Sequence, residues 1–360
     1  MSDGKSGIEK DSRITDGFAF GDISRYRNEV YGFSIVWIVF FHAIAILGLD
    51  YSATTSMLDP LQFVLKRGNM GCEIFLFCSG VFLFYSMKKK EVKLAGWYVK
   101  RFTRLFWPVL LICGAYWFIT GVVVEKSLTG FVSKILMVEF WISGDQQIWF
   151  VSVILVCYLF YPLIYNILYY GNEGGSLRVF AAGAIMIAAV IAGIVGLSAA
   201  HPDYYSLVEI GINRFPVFIF GCMCSRWVYD NKRISALIYV PAAILTAAGF
   251  YVLELGVLSG CWKRLFFFFP AMGLTVMLIL VFKLVRAKAF HAFFSFFGKI
   301  SLNLYLAHIL VIRLYKLTPF VENKCIRHYL VIVVISVILA WVSSLIIDGA
   351  GGLLRKKKTA

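Results

Sequence analysis

The chain has 360 residues, 60% of them hydrophobic and 17% aromatic, with a mean hydropathy of +0.80. Soluble domains are apolar over only about half their residues, so this composition excludes a soluble globular protein and indicates a polytopic membrane protein. The net charge of +15 does not point to nucleic acid as a partner, because the basic residues lie between apolar runs.

Residues 1–30 are polar, mixed in charge and without an apolar segment, which predicts a flexible cytoplasmic tail and no cleavable signal peptide. About ten apolar runs follow, at 31–49, 70–87, 103–124, 147–168, 179–200, 211–229, 236–258, 265–285, 299–317 and 328–348. The predicted fold is therefore an all-α membrane bundle over 31–350, closed by a basic cytoplasmic tail at 351–360. If the spans alternate, about 24 of the 35 Lys and Arg fall on the side of the amino terminus, so both termini are expected in the cytoplasm and the bundle in the cell membrane. Residues 125–147 form an outer loop whose FVSKILMVEFWI stretch is too short to span and is expected to lie at the interface. The eight cysteines fall mostly inside apolar runs without metal-ligand spacing, and no metal is expected.

Within the first run stands His42, an ionisable group deep in apolar sequence. Such a group costs several kcal/mol (roughly 3 on insertion scales) unless compensated, so it marks either a functional site with a partner or a neutral imidazole packing two helices. Tyr31 precedes it by about three helical turns and shares its face, roughly 16 Å away. Arg25 and Arg27 open this run, where they either snorkel to lipid headgroups or contact a ligand. In the second run Glu73 suits proton handling or a bond to a loop amide, while Ser79 and Gly80 allow close helix approach. Arg101 and Arg104, three apart, place two planar forks on one face, able to grip phosphate or simply to satisfy membrane topology. On the ninth run Ser301, Tyr305 and His308 form one stripe, read as substrate-orienting or as a hydrogen-bonded seam.

Taken together, these segments resemble the integral membrane acyltransferase family known as acyltransferase 3. The resemblance rests on YGFSIVWIVFFH ending at His42, Gly71-Cys72-Glu73-Ile74-Phe75 through Ser79-Gly80, Arg101 and Arg104 before Pro108, IWFVSVILVCYLFYP, NRFPVFIFG and GKISLNLYLAH ending at His308. The family commonly carries an arginine eleven positions before its first-helix histidine. Here Tyr31 stands there, and Arg27 is the nearest upstream cation.

The resemblance implies acyl transfer, commonly acetyl from cytoplasmic acetyl-CoA, to a hydroxyl of an envelope polysaccharide or lipid-linked glycan. It implies His42 as catalytic base, with Glu73 and His308 completing the catalytic set, and Arg101, Arg104, Arg27 and Tyr31 around the donor. Two rival functions remain. A lipid-linked sugar transporter would show repeat symmetry and paired broken helices, which the sequence does not display, and a non-catalytic binding protein of the same fold is favoured by Tyr31.

Overall fold

The computed structural model describes residues 17–47, 63–88, 92–169, 176–319 and 326–359, and these are almost entirely helical. The helices are α1 (Gly21–Arg25), α2 (Arg27–Leu47), α3 (Gly71–Met87), α4 (Leu94–Trp117), α5 (Leu128–Ile135), α6 (Glu139–Ser143), α7 (Trp149–Tyr169) and α8 (Ser176–Ala200). They continue with α9 (Pro202–Ile212), α10 (Phe215–Tyr229), α11 (Tyr239–Glu254), α12 (Gly260–Phe266), α13 (Phe268–Leu284), α14 (Lys288–Lys299), α15 (Ser301–Tyr315) and α16 (Ile326–Thr359).

Eight stretches of described helix are long and apolar enough to cross a membrane, with α9–α10 and α12–α13 each counted once, and nine if the bent pair α14–α15 is one span. With the 21-residue α2, every apolar run of the sequence has a helical counterpart. The centre and rim of the bundle follow from burial. The apolar window of α9–α10 is 72% buried and that of the helix ending in α3 67%, whereas α8 at 17% and α16 at 22% face outward and present their aliphatic side chains to lipid. The two central elements meet backbone to backbone: a Cβ added at Gly80 would run into the Phe218 carbonyl, and one at Gly221 into the Phe77 carbonyl. Only glycine permits that approach, as the small pair at 79–80 predicted.

Three expectations change. The 17–30 portion of the expected tail is ordered: β1 (Phe18–Ala19) pairs antiparallel with β2 (Arg233–Ile234), Phe18 and Ile23 are buried, and Lys283 Nζ lies 3.7 Å from Asp22. Residues 1–16 lie outside the described set. The ninth run is not a straight span, because α15 has only 15 residues and meets α14 at 70°. The stretch KAFHAFFSFFGK, which falls between the apolar runs at 265–285 and 299–317, forms α14 by placing Phe290, Phe294 and Phe297 on one face, and Phe294 packs on Phe33 of α2 and Phe282 of α13. Finally, α2 begins at Arg27 rather than 31, so His42 lies about 22 Å by helical rise from its start.

Candidate active site

Helices α2 and α15 each bring one histidine to a shared point. His308 is 1% exposed and His42 half-buried; His308 Nε2 lies 3.3 Å from His42 Nδ1, with ring centroids 5.0 Å apart. Both rings are held by the carbonyl one turn back on their own helix. His42 Nδ1 donates to Ile38 O at 3.0 Å and His308 Nδ1 to Leu304 O at 2.8 Å.

A carbonyl oxygen can only accept, so these bonds assign the tautomers. In a neutral pair each ring carries its hydrogen on Nδ1. His308 Nε2 is then a lone pair facing the Nδ1–H of His42, and His42 Nε2 is a lone pair with no hydrogen-bond partner among the described residues. One imidazole thus orients the other and leaves it an unoccupied basic nitrogen. When His42 takes a proton on Nε2, the same contact accepts from the imidazolium and stabilises it.

About 16 Å along α2 from His42, by helical rise, a cationic cluster forms. The Arg27 guanidinium lies over the Tyr31 ring at 5.5 Å and over Phe82 at 4.8 Å, while Arg101 lies over Trp97 at 5.4 Å and Tyr158 at 5.9 Å. Arg101 is within electrostatic reach of both Arg104 and Arg27. Among the described residues no carboxylate forms an ion pair with any of the three, and Nε of Arg27 and of Arg101 is buried without a hydrogen-bond partner. Three like charges held together without counter-charge form a site for an anion. Arg27 also returns a cation to the level of Tyr31, whose ring is stacked on Phe75 at 4.9 Å.

Tyr31, Arg104, Ser79, Ser301 and Tyr305 line one cavity of about 80 Å³. The stripe on α15 therefore serves two places: Ser301 and Tyr305 face the cavity, and His308 meets His42, its ring 5.7 Å from that of Tyr305. The cavity thus runs from the cationic cluster to the neighbour of the histidine pair.

Glu73 takes a different position. Its Oε1 lies 2.8 Å from Nε of Arg214, both side chains are at most 2% exposed, and the guanidinium rests over Trp149 at 4.7 Å and bonds the Ile210 carbonyl. The acid expected to handle protons is thus neutralised by a buried arginine at the break between α9 and α10, and it makes no hydrogen bond to either histidine. Sequence reasoning missed Arg214 as its partner. The available signal was an arginine lying inside an apolar run, where charges pair.

A family model described as an acyltransferase domain matches residues 32–345, nearly the whole helical bundle. The chain belongs to the acyltransferase 3 family. It is accordingly a multi-pass membrane acyltransferase, and both histidines, Glu73 and the Arg101–Arg104 pair fall inside the matched residues. Arg27 and Tyr31 lie just before them. No curated protein and no solved structure matches the chain significantly. For this acyltransferase no three of His, Cys, Asp and Glu gather as a metal site among the described residues.

Proposed function

We propose that this acyltransferase moves an acyl group, acetyl from acetyl-CoA, to a hydroxyl of a cell-envelope polysaccharide or lipid-linked glycan. One observation carries the reading: three guanidinium groups without an ion-pair partner among the described residues stand at one end of α2 and the His42–His308 pair near the other, with a cavity between them that is lined by Arg104 and by Tyr305, the neighbour of His308.

In this reading the arginine end faces the cytoplasm, with both termini, and Arg27, Arg101 and Arg104 grip the phosphates of the donor beside Tyr31. The thin pantetheine arm follows the cavity toward His42. At about 80 Å³ the cavity has room for only a few waters, so its lining must part for the arm to enter. The His42 Nε2 lone pair takes the proton of the acceptor hydroxyl as that oxygen attacks the thioester carbonyl carbon. A C–O bond forms, the C–S bond breaks, and the proton passes from His42 to the leaving sulfur to release the free thiol of coenzyme A. His308 holds His42 in the tautomer that leaves Nε2 free to take the proton.

The test is purified protein in lipid nanodiscs with acetyl-labelled CoA and an envelope glycan fraction. The reading requires free coenzyme A thiol to appear together with label on the glycan. Intact donor and unlabelled glycan, with vesicles that instead take up a lipid-linked sugar, would replace it with the exporter function.

A further inference from the structure

A second cavity, of about 500 Å³, lies at the opposite end of the bundle from the arginine cluster. Arg67 opens the helix that α3 continues, whereas Arg27 stacks on Phe82 near the far end of α3, about 22 Å away by helical rise. The lining carries four cations, Lys66, Arg67, Lys263 and Arg264, against two carboxylates, Glu209 and Glu254. Both carboxylates are engaged: Arg67 pairs with Glu254 at 2.5 Å and Arg264 with Glu209 at 3.1 Å. Lys263 then has no carboxylate partner among the described residues, so positive charge remains in the cavity. Arg67 is 7% exposed, its guanidinium lies 4.6 Å over Phe63, and its Nε is buried with no hydrogen-bond partner.

Positive charge is depleted from the outer ends of spans, and in the proposed orientation this is the outer end. A cluster of four cations there needs a reason other than topology. Large apolar side chains are exposed beside it, Leu255 and Val257 in the connection between α11 and α12 and Trp262 on α12 itself. Charge inside and apolar surface at the mouth match a ligand with an anionic head and a hydrocarbon tail.

We infer that this cavity binds the phosphate of a lipid headgroup. The inference rests on the proposed function for its meaning, since it makes the acceptor, or the lipid carrying it, phosphate-bearing. The buried ion pair lies between the two cavities: Glu73 is within electrostatic reach of Arg264 on this side and Arg214 of Tyr305 on the other. A lipid held here by its phosphate would extend its glycan within the half of the bundle that contains His42.

The experiment titrates delipidated protein in neutral detergent with farnesyl phosphate and with farnesol, which share a tail and differ by the phosphate. Farnesyl phosphate should bind at least about tenfold more tightly. Lys263→Glu leaves both ion pairs intact and should remove about tenfold of that preference at unchanged melting temperature, and Lys66→Glu with Lys263→Glu should remove more. Arg101→Gln with Arg104→Gln, at the other end, should leave it unchanged. Competition by an equal concentration of phosphatidylglycerol identifies a bulk lipid as the source, and failure to compete identifies a phosphomonoester carrier. Equal binding of the alcohol and the phosphate, or a preference lost only in the Arg101 and Arg104 variant, would overturn the inference. Binding of acetyl-CoA, measured on the same preparations, reads the donor site separately, so either proposal can fail alone.

Discussion

His308 Nε2 faces His42 Nδ1 across 3.3 Å, and because each ring also donates from Nδ1 to its own helix, the contact leaves the basic nitrogen of His42 unoccupied. His308 is therefore a positioning residue, acting on the reaction through His42.

Replacing His308 with Leu should lower kcat about ten- to a hundredfold while the KM for the donor stays unchanged, since a small misplacement of a catalytic group carries that cost. His308→Gln supplies an amide oxygen that can accept from His42 Nδ1 and should recover part of the loss. Steady-state kinetics on folded, inserted protein check both. A His308→Leu enzyme with wild-type kcat would remove the residue from the mechanism.

Arg101 and Arg104 hold uncompensated charge, so their replacement by Lys, which keeps charge but loses the planar fork, separates anion binding from topology. Each change should weaken acetyl-CoA binding about tenfold, the equivalent of roughly one charge-assisted hydrogen bond at about 1.5–3 kcal/mol. Arg27→Leu should weaken it as well, because that guanidinium completes the cluster over Tyr31. Isothermal titration with the donor measures all three, and unchanged affinities would return the arginines to lipid headgroup contacts.

The Glu73–Arg214 pair predicts a structural phenotype. Glu73→Gln leaves a buried guanidinium without counter-charge, a loss of about 3–5 kcal/mol, and should lower the melting temperature markedly. Glu73→Leu combined with Arg214→Met removes both charges and should recover most of that loss. Thermal unfolding in detergent follows both. A Glu73→Gln protein that melts like wild type yet has lost turnover would make the carboxylate a proton carrier after all.

The orientation is tested by cysteine accessibility, since the seven described native cysteines are buried. A reagent confined to the outer face should modify Glu125→Cys and not Lys93→Cys. The reverse pattern would turn the bundle over and put the arginine cluster outside.

Much of this architecture was legible because apolar length alone marks a membrane helix, and the one-face spacing of Ser301, Tyr305 and His308 or of Arg101 and Arg104 follows from helical geometry. What escaped depends on breaks and partners. Hydropathy averaged over a span runs through Asn213 and Arg214, where α9 ends, and through Ile300, where α14 and α15 bend by 70°. Gly17 to Arg25 read as tail because its two buried anchors, Phe18 and Ile23, are too few to form an apolar run. The pairings of Glu73 with Arg214 and of His42 with His308 join residues far apart in the chain, and periodicity within one helix carries no information about its neighbour.

The central claim is that His42 is the base that deprotonates the acceptor, and single-turnover transfer by His42→Gln tests it most directly. Glutamine can replace one hydrogen bond of the imidazole but cannot take a proton, and a general base contributes about 10²–10⁴-fold. The account predicts an inserted protein that binds acetyl-CoA with wild-type affinity and transfers its acyl group at least about a hundredfold more slowly. Transfer by His42→Gln at near wild-type rate would contradict it.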